Sequence, residues 1–189
     1  MSTIGYIVGS ISSTSINRKL AKALAAVAPE GTTLVEIPIA DLGFYTPDAD
    51  ADYPAEATAF KEAIADVDGV IIVTPEYSRS IPGVLKNALD WASRPWGQGS
   101  FAGKPTAIIG TSGGAISTAA AQQHLKAILS HMDAPVLGQP EGYVQNKPGL
   151  FGENGEVSDE GTVAFLQSYL AAFETLIARY VPAAELVNA

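Results

Sequence analysis

Hydroxyl groups crowd one short stretch of this chain: Ser10, Ser12, Ser13, Thr14 and Ser15 are followed at once by Ile16 and the amide of Asn17. Hydroxyls and amides present several hydrogen-bond donors together, and a loop that opens a helix adds unpaired N–H groups and the positive end of the helix dipole. That set suits the terminal dianion of a monophosphate. The stretch has neither the glycines of G-x-G-x-x-G, which admit a pyrophosphate, nor the lysine of a P-loop. A Ser/Thr-rich turn that caps a helix fits the same residues, so other loops must decide. Pro75-Glu76-Tyr77-Ser78 offers backbone N–H groups, a carboxylate and an aromatic ring. Ser112-Gly113-Gly114 offers a backbone that a flat ring can approach closely. A helix entry packed tightly on a sheet would also account for the paired glycines.

Each of these stretches falls where a strand gives way to a helix. Ile4 to Gly9 reads as a first strand, and a helix follows over 15–27 with Leu20, Ala23, Leu24 and Val27 on one face. Gly69-Val70-Ile71-Ile72-Val73 is the unbroken β-branched run of a parallel strand covered on both faces. After it, Ser80 is placed to cap and Pro82 to open a helix carrying Leu85 and Leu89, with Lys86 and Asp90 paired four residues apart. Thr106 to Gly110 forms a fourth strand that leads through the glycines into a helix over 116–132. Thr33 to Pro38 gives the second strand, followed by a surface loop with Phe44 and Tyr45 and a helix over 55–67. A short fifth strand covers 134–138, which Tyr143-Val144 could extend. A Gly/Pro/Asn-rich loop then leads to a closing helix over 158–180.

Composition narrows the classes. The 189 residues are 47% hydrophobic and 16% charged, which predicts one domain, 1–189, with a sizeable core. A net charge of −9 opposes general nucleic-acid binding, although Arg18, Lys19, Arg79, Lys86 and Arg94 gather near the proposed loops. The absence of cysteine removes disulfides, thiolate nucleophiles and iron–sulfur ligation, so redox chemistry would belong to a bound cofactor. His124 and His131 lack clustered partners for a metal. No stretch reads as a leader or a membrane span, so a cytoplasmic protein is expected.

Strand–helix alternation predicts a parallel sheet with helices on both faces. Ligands of such sheets bind beyond the carboxyl ends of the strands, where strand order reverses. The loops after strands one, three and four are neighbours in the flavodoxin-like order 2-1-3-4-5 and not in the order 3-2-1-4-5-6. One ligand touching all three therefore requires a flavodoxin-like three-layer α/β fold with a five-stranded parallel sheet. A ligand anionic at one tip and flat at the other has the shape of flavin mononucleotide (FMN). With the cofactor carrying the chemistry, no side chain is assigned as a catalytic acid, base or nucleophile.

The combined motifs resemble the NADPH-dependent FMN reductase family, which includes bacterial chromate and quinone reductases. The likeness rests on Gly9-Ser10…Ser15-Ile16-Asn17, on Pro75 through Gly83 with Leu85-Lys86-Asn87-Ala88 and Asp90-Trp91, and on Phe101…Gly103-Lys104-Pro105. It implies FMN held by Ser10, Ser12, Ser15, Ile16 and Asn17 at the phosphate, by Pro75, Glu76, Tyr77 and Ser78 along the ribityl chain and ring, and by Ser112, Gly113 and Gly114 at the pyrimidine end. It also implies NADPH or NADH as co-substrate and a quinone, flavin, azo compound or metal oxyanion as small-molecule acceptor. A homodimer or homotetramer is expected. Two positions depart from the family pattern: Ser12 stands where an arginine is usual, and Ser78 where an asparagine is usual. A flavin-binding electron carrier without NAD(P)H oxidation, or a cofactor-free regulatory protein, would share the fold.

Overall fold

The third strand, β3 (Gly69–Val73), lies at the centre of the sheet, and Val70, Ile71, Ile72 and Val73 are all fully buried. Alternate residues enter different cores: Val70 and Ile72 face one, Ile71 and Val73 the other. Each such side chain contributes about 1.5–3 kcal/mol of burial, so a strand without polar alternation is stable only when covered on both sides. In the computed structural model, which describes residues 1–180, that cover is complete.

Five parallel strands run in the order β2-β1-β3-β4-β5, with β1 at Ser2–Val8, β2 at Thr32–Glu36, β4 at Thr106–Ser112 and β5 at Gly142–Gln145. Val8 pairs with Val73, Val73 with Ile109 and Ile109 with Gly142, so the carboxyl ends of β1, β3 and β4 finish side by side. On one face, α2 (Ala55–Ala65), α3 (Gly83–Ala92) and α4 (Ala119–His131) pack Phe60, Ile64, Leu85, Leu89, Leu125 and Leu129 against the sheet. On the other, α1 (Ile16–Ala26) and α5 (Glu160–Tyr180) contribute Leu20, Leu24, Leu166, Leu170 and Phe173.

The structure corrects several sequence expectations. The segment 134–138 forms only one bridge, Val136 beside Thr106, and the fifth strand lies at Gly142–Gln145. Pro135 and Pro140 interrupt the edge, so its pairing is split into two pieces along β4. Helix α4 starts at Ala119 and not at 116, because Ser117 sits at φ 51 while its hydroxyl donates to the Val144 carbonyl at 2.7 Å. Ser80 does not cap α3; Pro82 occupies that position, and the Ser80 hydroxyl lies 2.7 Å from Nδ1 of His124. By length and composition α5 could cross a bilayer, against the expectation that no stretch approaches a span. Its Leu166, Tyr169, Leu170, Phe173 and Ile177 are nevertheless buried against the sheet, on the one face of the helix that turns inward.

Behind the edge, α3 grips the loop after β2. Asn87 accepts the Tyr45 N–H and donates to the Gly43 carbonyl, both at 2.9 Å, and the Trp91 indole donates to the same carbonyl at 2.8 Å. The Tyr53 hydroxyl donates to the Trp91 carbonyl at 2.6 Å and lies 3.1 Å from that of Arg94. Burial, then the nearby Asp50 carboxylate, push its phenol up to about 12.

Candidate functional site

The loops after β1, β3 and β4 stand together on the carboxyl edge of the sheet, and buried hydrogen bonds tie them to one another. Gly9 N–H donates to the Val73 carbonyl at 2.9 Å and Thr74 N–H to the Ile109 carbonyl at 2.9 Å, which joins the three strand ends in sequence. The Thr74 hydroxyl, fully buried, donates to the Pro75 carbonyl at 2.8 Å and fixes the turn out of β3. Gly110 explains how closely these loops meet. A Cβ there would fall 2.1 Å from the Thr74 carbonyl oxygen and 2.4 Å from the Thr118 hydroxyl, so no larger residue is accommodated.

At the first loop, Ser15 caps α1 by accepting the Arg18 N–H at 3.3 Å. Ser10 accepts the Ser12 N–H and Ser12 accepts the Thr14 N–H, each at 3.3 Å. A hydroxyl that accepts one bond retains its own proton to donate. The loop thus combines hydroxyl donors with the first-turn N–H groups of Ile16 and Asn17, which precede any intrahelical acceptor. Ile11 through Thr14 are exposed, while Ser10 and Ser15 are buried at the base.

The Asn17 side chain is committed elsewhere. It is 1% exposed, donates Nδ2 to the Thr111 carbonyl and accepts the Thr111 N–H at Oδ1, both at 2.9 Å. This reciprocal pair locks the first turn of α1 onto the end of β4, leaving only the Asn17 backbone N–H for a ligand.

Glu76 is similarly engaged within the protein. One carboxylate oxygen accepts the Ala121 N–H in the first turn of α4 at 3.1 Å, and the other lies 3.2 Å from Arg79. It joins the second loop to the helix that follows the third, and the Ser80–His124 bond adds another link between them. Tyr77 and Ser80 exchange backbone hydrogen bonds at 3.0 and 2.9 Å around Ser78 at φ 52 and Arg79 at φ 66. Positive φ at both central residues is the type I′ pattern. The departure at Ser78 therefore matters to the backbone first, since asparagine tolerates this region better than serine.

In the third loop, Ser112 donates its hydroxyl to the Ser117 carbonyl at 3.0 Å and accepts the Gly114 N–H at 3.2 Å. Neither Gly113 nor Gly114 has positive φ, and nothing lies within 4 Å of the place a Gly113 Cβ would take. The glycines bare a strip of backbone to open space, which a flat ring could cover and a side chain would obstruct. Hydroxyls and helix N–H groups at one end and uncovered backbone at the other fit the phosphate and ring of FMN.

The basic residues gathered near these loops are mostly paired at the surface, as helix-face residues would be, and Arg94 bonds back to Ser93 and lies over the Trp96 ring. Arg18 pairs with Glu36 and Lys19 with Glu153, both at 2.5 Å, while Lys86 pairs with Asp90 at 2.6 Å. The phosphate end consequently depends on neutral donors and the α1 dipole. Thr74, Gly110, Thr118 and His124 were not singled out as site-building residues by the sequence. A glycine inside an otherwise buried β run was the available signal for Gly110.

Comparison with known proteins agrees with this geometry. The NADPH-dependent FMN reductase family matches residues 2–149. A 2-hydroxy-1,4-benzoquinone reductase from a Burkholderia species is 50% identical over 167 residues, spanning 88% of this chain and 91% of its own. A quinone reductase from Pseudomonas putida is 40% identical over 176 residues, covering 93% and 94% respectively. The solved structure of FerB, a flavoenzyme NAD(P)H:(acceptor) oxidoreductase from Paracoccus denitrificans, superposes with a TM-score of 0.90 at 41% identity, covering 95% of this chain and 99% of FerB. With a family match over residues 2–149, relatives 40–50% identical over most of the chain and the flavodoxin-like sheet order, the chain belongs to the NADPH-dependent FMN reductase family.

Proposed function

We propose that this protein is an FMN-dependent NAD(P)H oxidoreductase that reduces quinones. The observation that carries the reading is one sheet edge with a hydroxyl and N–H cradle after β1 and an uncovered glycine strip after β4. FMN, when bound, supplies hydride acceptance from the nicotinamide and electron delivery to the acceptor. The protein's residues bind and orient. Ser10, Ser12 and Ser15, with the Ile16 and Asn17 N–H groups, hold the phosphate. Pro75 to Ser78 flank the ribityl chain and ring, and Ser112 to Gly114 meet the pyrimidine end, where N–H donors favour negative charge on the ring. Glu76 positions the second loop through α4, and Asn17 positions α1 on β4, so neither side chain moves a proton.

The protein works as one domain, as a homodimer or homotetramer, and in the cytoplasm. The resemblance supports the oligomer, as do Ile11, Tyr77 and Ile116, which are exposed apolar residues contributed by each of the three loops. The test is reconstitution with FMN, followed by rapid mixing with NADPH or NADH and then with a benzoquinone. Yellow protein that bleaches with nicotinamide and recovers colour with quinone is expected. FMN binding without nicotinamide oxidation would identify an electron carrier, and no flavin binding would leave a regulatory protein on the same fold.

A further inference from the structure

We propose that Arg79 recognises the phosphate that distinguishes NADPH from NADH. The inference rests on the oxidoreductase reading and assigns its co-substrate specificity. Three observations carry it.

The first is charge. The chain bears a net charge of −9, so a phosphorylated co-substrate approaching this edge needs a local cation. Arg18, Lys19 and Lys86 are neutralised by carboxylates at 2.5 to 2.6 Å, and Arg94, without an ion pair among the described residues, folds back onto Ser93 and the Trp96 ring. Arg79 has a single longer contact, 3.2 Å to Glu76, and its side chain is 73% exposed. A guanidinium has five N–H donors in a planar fork that matches phosphate oxygens in pairs. One contact leaves most of that fork turned to solvent.

The second observation is placement. Arg79 stands at the tip of the hairpin that follows Pro75, Glu76 and Tyr77, the wall assigned to the ribityl chain and ring. With the flavin ring on the glycine strip, a nicotinamide stacked on that ring lies beside this hairpin, whose backbone turn presents Arg79 at its tip. Glu76 tethers the guanidinium to a fixed point, because its carboxylate is 8% exposed and held by the Ala121 N–H. The arginine is therefore held near the rim and remains accessible.

The third observation is conformational. Ser78 and Arg79 both occupy the left-handed region, at φ 52 and 66, where Asn-Gly would be the unstrained choice for this turn. Bulky residues persist in such conformations chiefly at functional places.

The test compares wild type with Arg79→Gln and Arg79→Glu, each loaded with FMN and checked for flavin absorbance and thermal unfolding. The readout is the ratio of kcat/KM with NADPH to that with NADH, using one benzoquinone as acceptor. The loss of a charge-assisted phosphate contact should lower this ratio roughly ten- to hundredfold, mainly through KM, and the glutamate variant should fall further. Adenosine 2′-phosphate should compete with NADPH in wild type better than adenosine 5′-phosphate does, and lose that advantage in both variants. A wild type indifferent to the 2′-phosphate would overturn the assignment. So would variants that slow both nicotinamides equally, since Arg79 would then act only by shaping the turn. A wild type that binds FMN and oxidises neither nicotinamide would instead refute the oxidoreductase reading.

Discussion

Replacing Asn17 by alanine distinguishes a structural clamp from a phosphate ligand. The wild-type amide makes two bonds of 2.9 Å to the Thr111 backbone and is 1% exposed. Alanine leaves the Thr111 N–H unpaired, at about 1–3 kcal/mol, and removes a donor from its carbonyl, worth about 1 kcal/mol more. The better helix propensity of alanine returns roughly 0.5 kcal/mol. The expected loss is about 1.5–3.5 kcal/mol in protein stripped of FMN. With a urea m-value of about 2–3 kcal/mol per molar, the unfolding midpoint should fall by roughly 1 M. Asn17→Asp should lose at least as much, because it keeps the acceptor for the Thr111 N–H but turns a second oxygen toward a carbonyl. Circular dichroism in urea on the FMN-free protein measures both. A loss below about 1 kcal/mol for alanine, accompanied by FMN binding weakened roughly tenfold, would place the amide on the ligand and refute the clamp.

Four further outcomes follow from the structure. Gly110→Ala places a methyl 2.1 Å from the Thr74 oxygen and should cost more than about 3 kcal/mol. Gly113→Ala, with nothing within 4 Å, should change stability by less than about 0.5 kcal/mol yet weaken FMN binding; thermal unfolding with and without FMN separates the two. Glu76→Ala removes the acceptor for the first turn of α4 and should cost about 1–2 kcal/mol, whereas Glu76→Gln should retain much of that stability. Equal losses in the two variants would contradict the capping role. The Tyr53 phenol is raised from 10.0 to about 12 by burial and then by Asp50, so the folded state binds its proton more tightly than the unfolded chain. That contribution is complete below pH 10 and fades as pH rises through about 12. The alkaline decline in urea stability should therefore be shallower in Tyr53→Phe than in wild type.

The sequence by itself determined the architecture and named three candidate loops, which the fold sets side by side at one sheet edge. The run from Gly69 to Val73 could be stable only inside a two-faced sheet, and the alternation of strands and helices required parallel pairing. The hydroxyls after the first strand and the glycines after the fourth marked these loops as candidates, with a helix cap and a close helix entry as the alternatives. These signals are local, written in periodicity and in residues adjacent along the chain. The split at the sheet edge was less legible, because Pro135 and Pro140 mark an interruption without saying which side pairs.

Only the tertiary structure decided what the polar side chains do. Asn17 meets Thr111 across 94 positions and Glu76 meets Ala121 across 45, so no spacing rule could join them. The sequence placed both among the ligand-binding candidates and left a purely structural hydrogen bond open for Glu76; packing turned both side chains toward exposed backbone ends of neighbouring elements. It also paired Arg18, Lys19 and Lys86 with carboxylates while leaving Arg79 largely in solvent. A side chain's chemistry can be read from its type, but its partner depends on which backbone groups the fold leaves unpaired beside it.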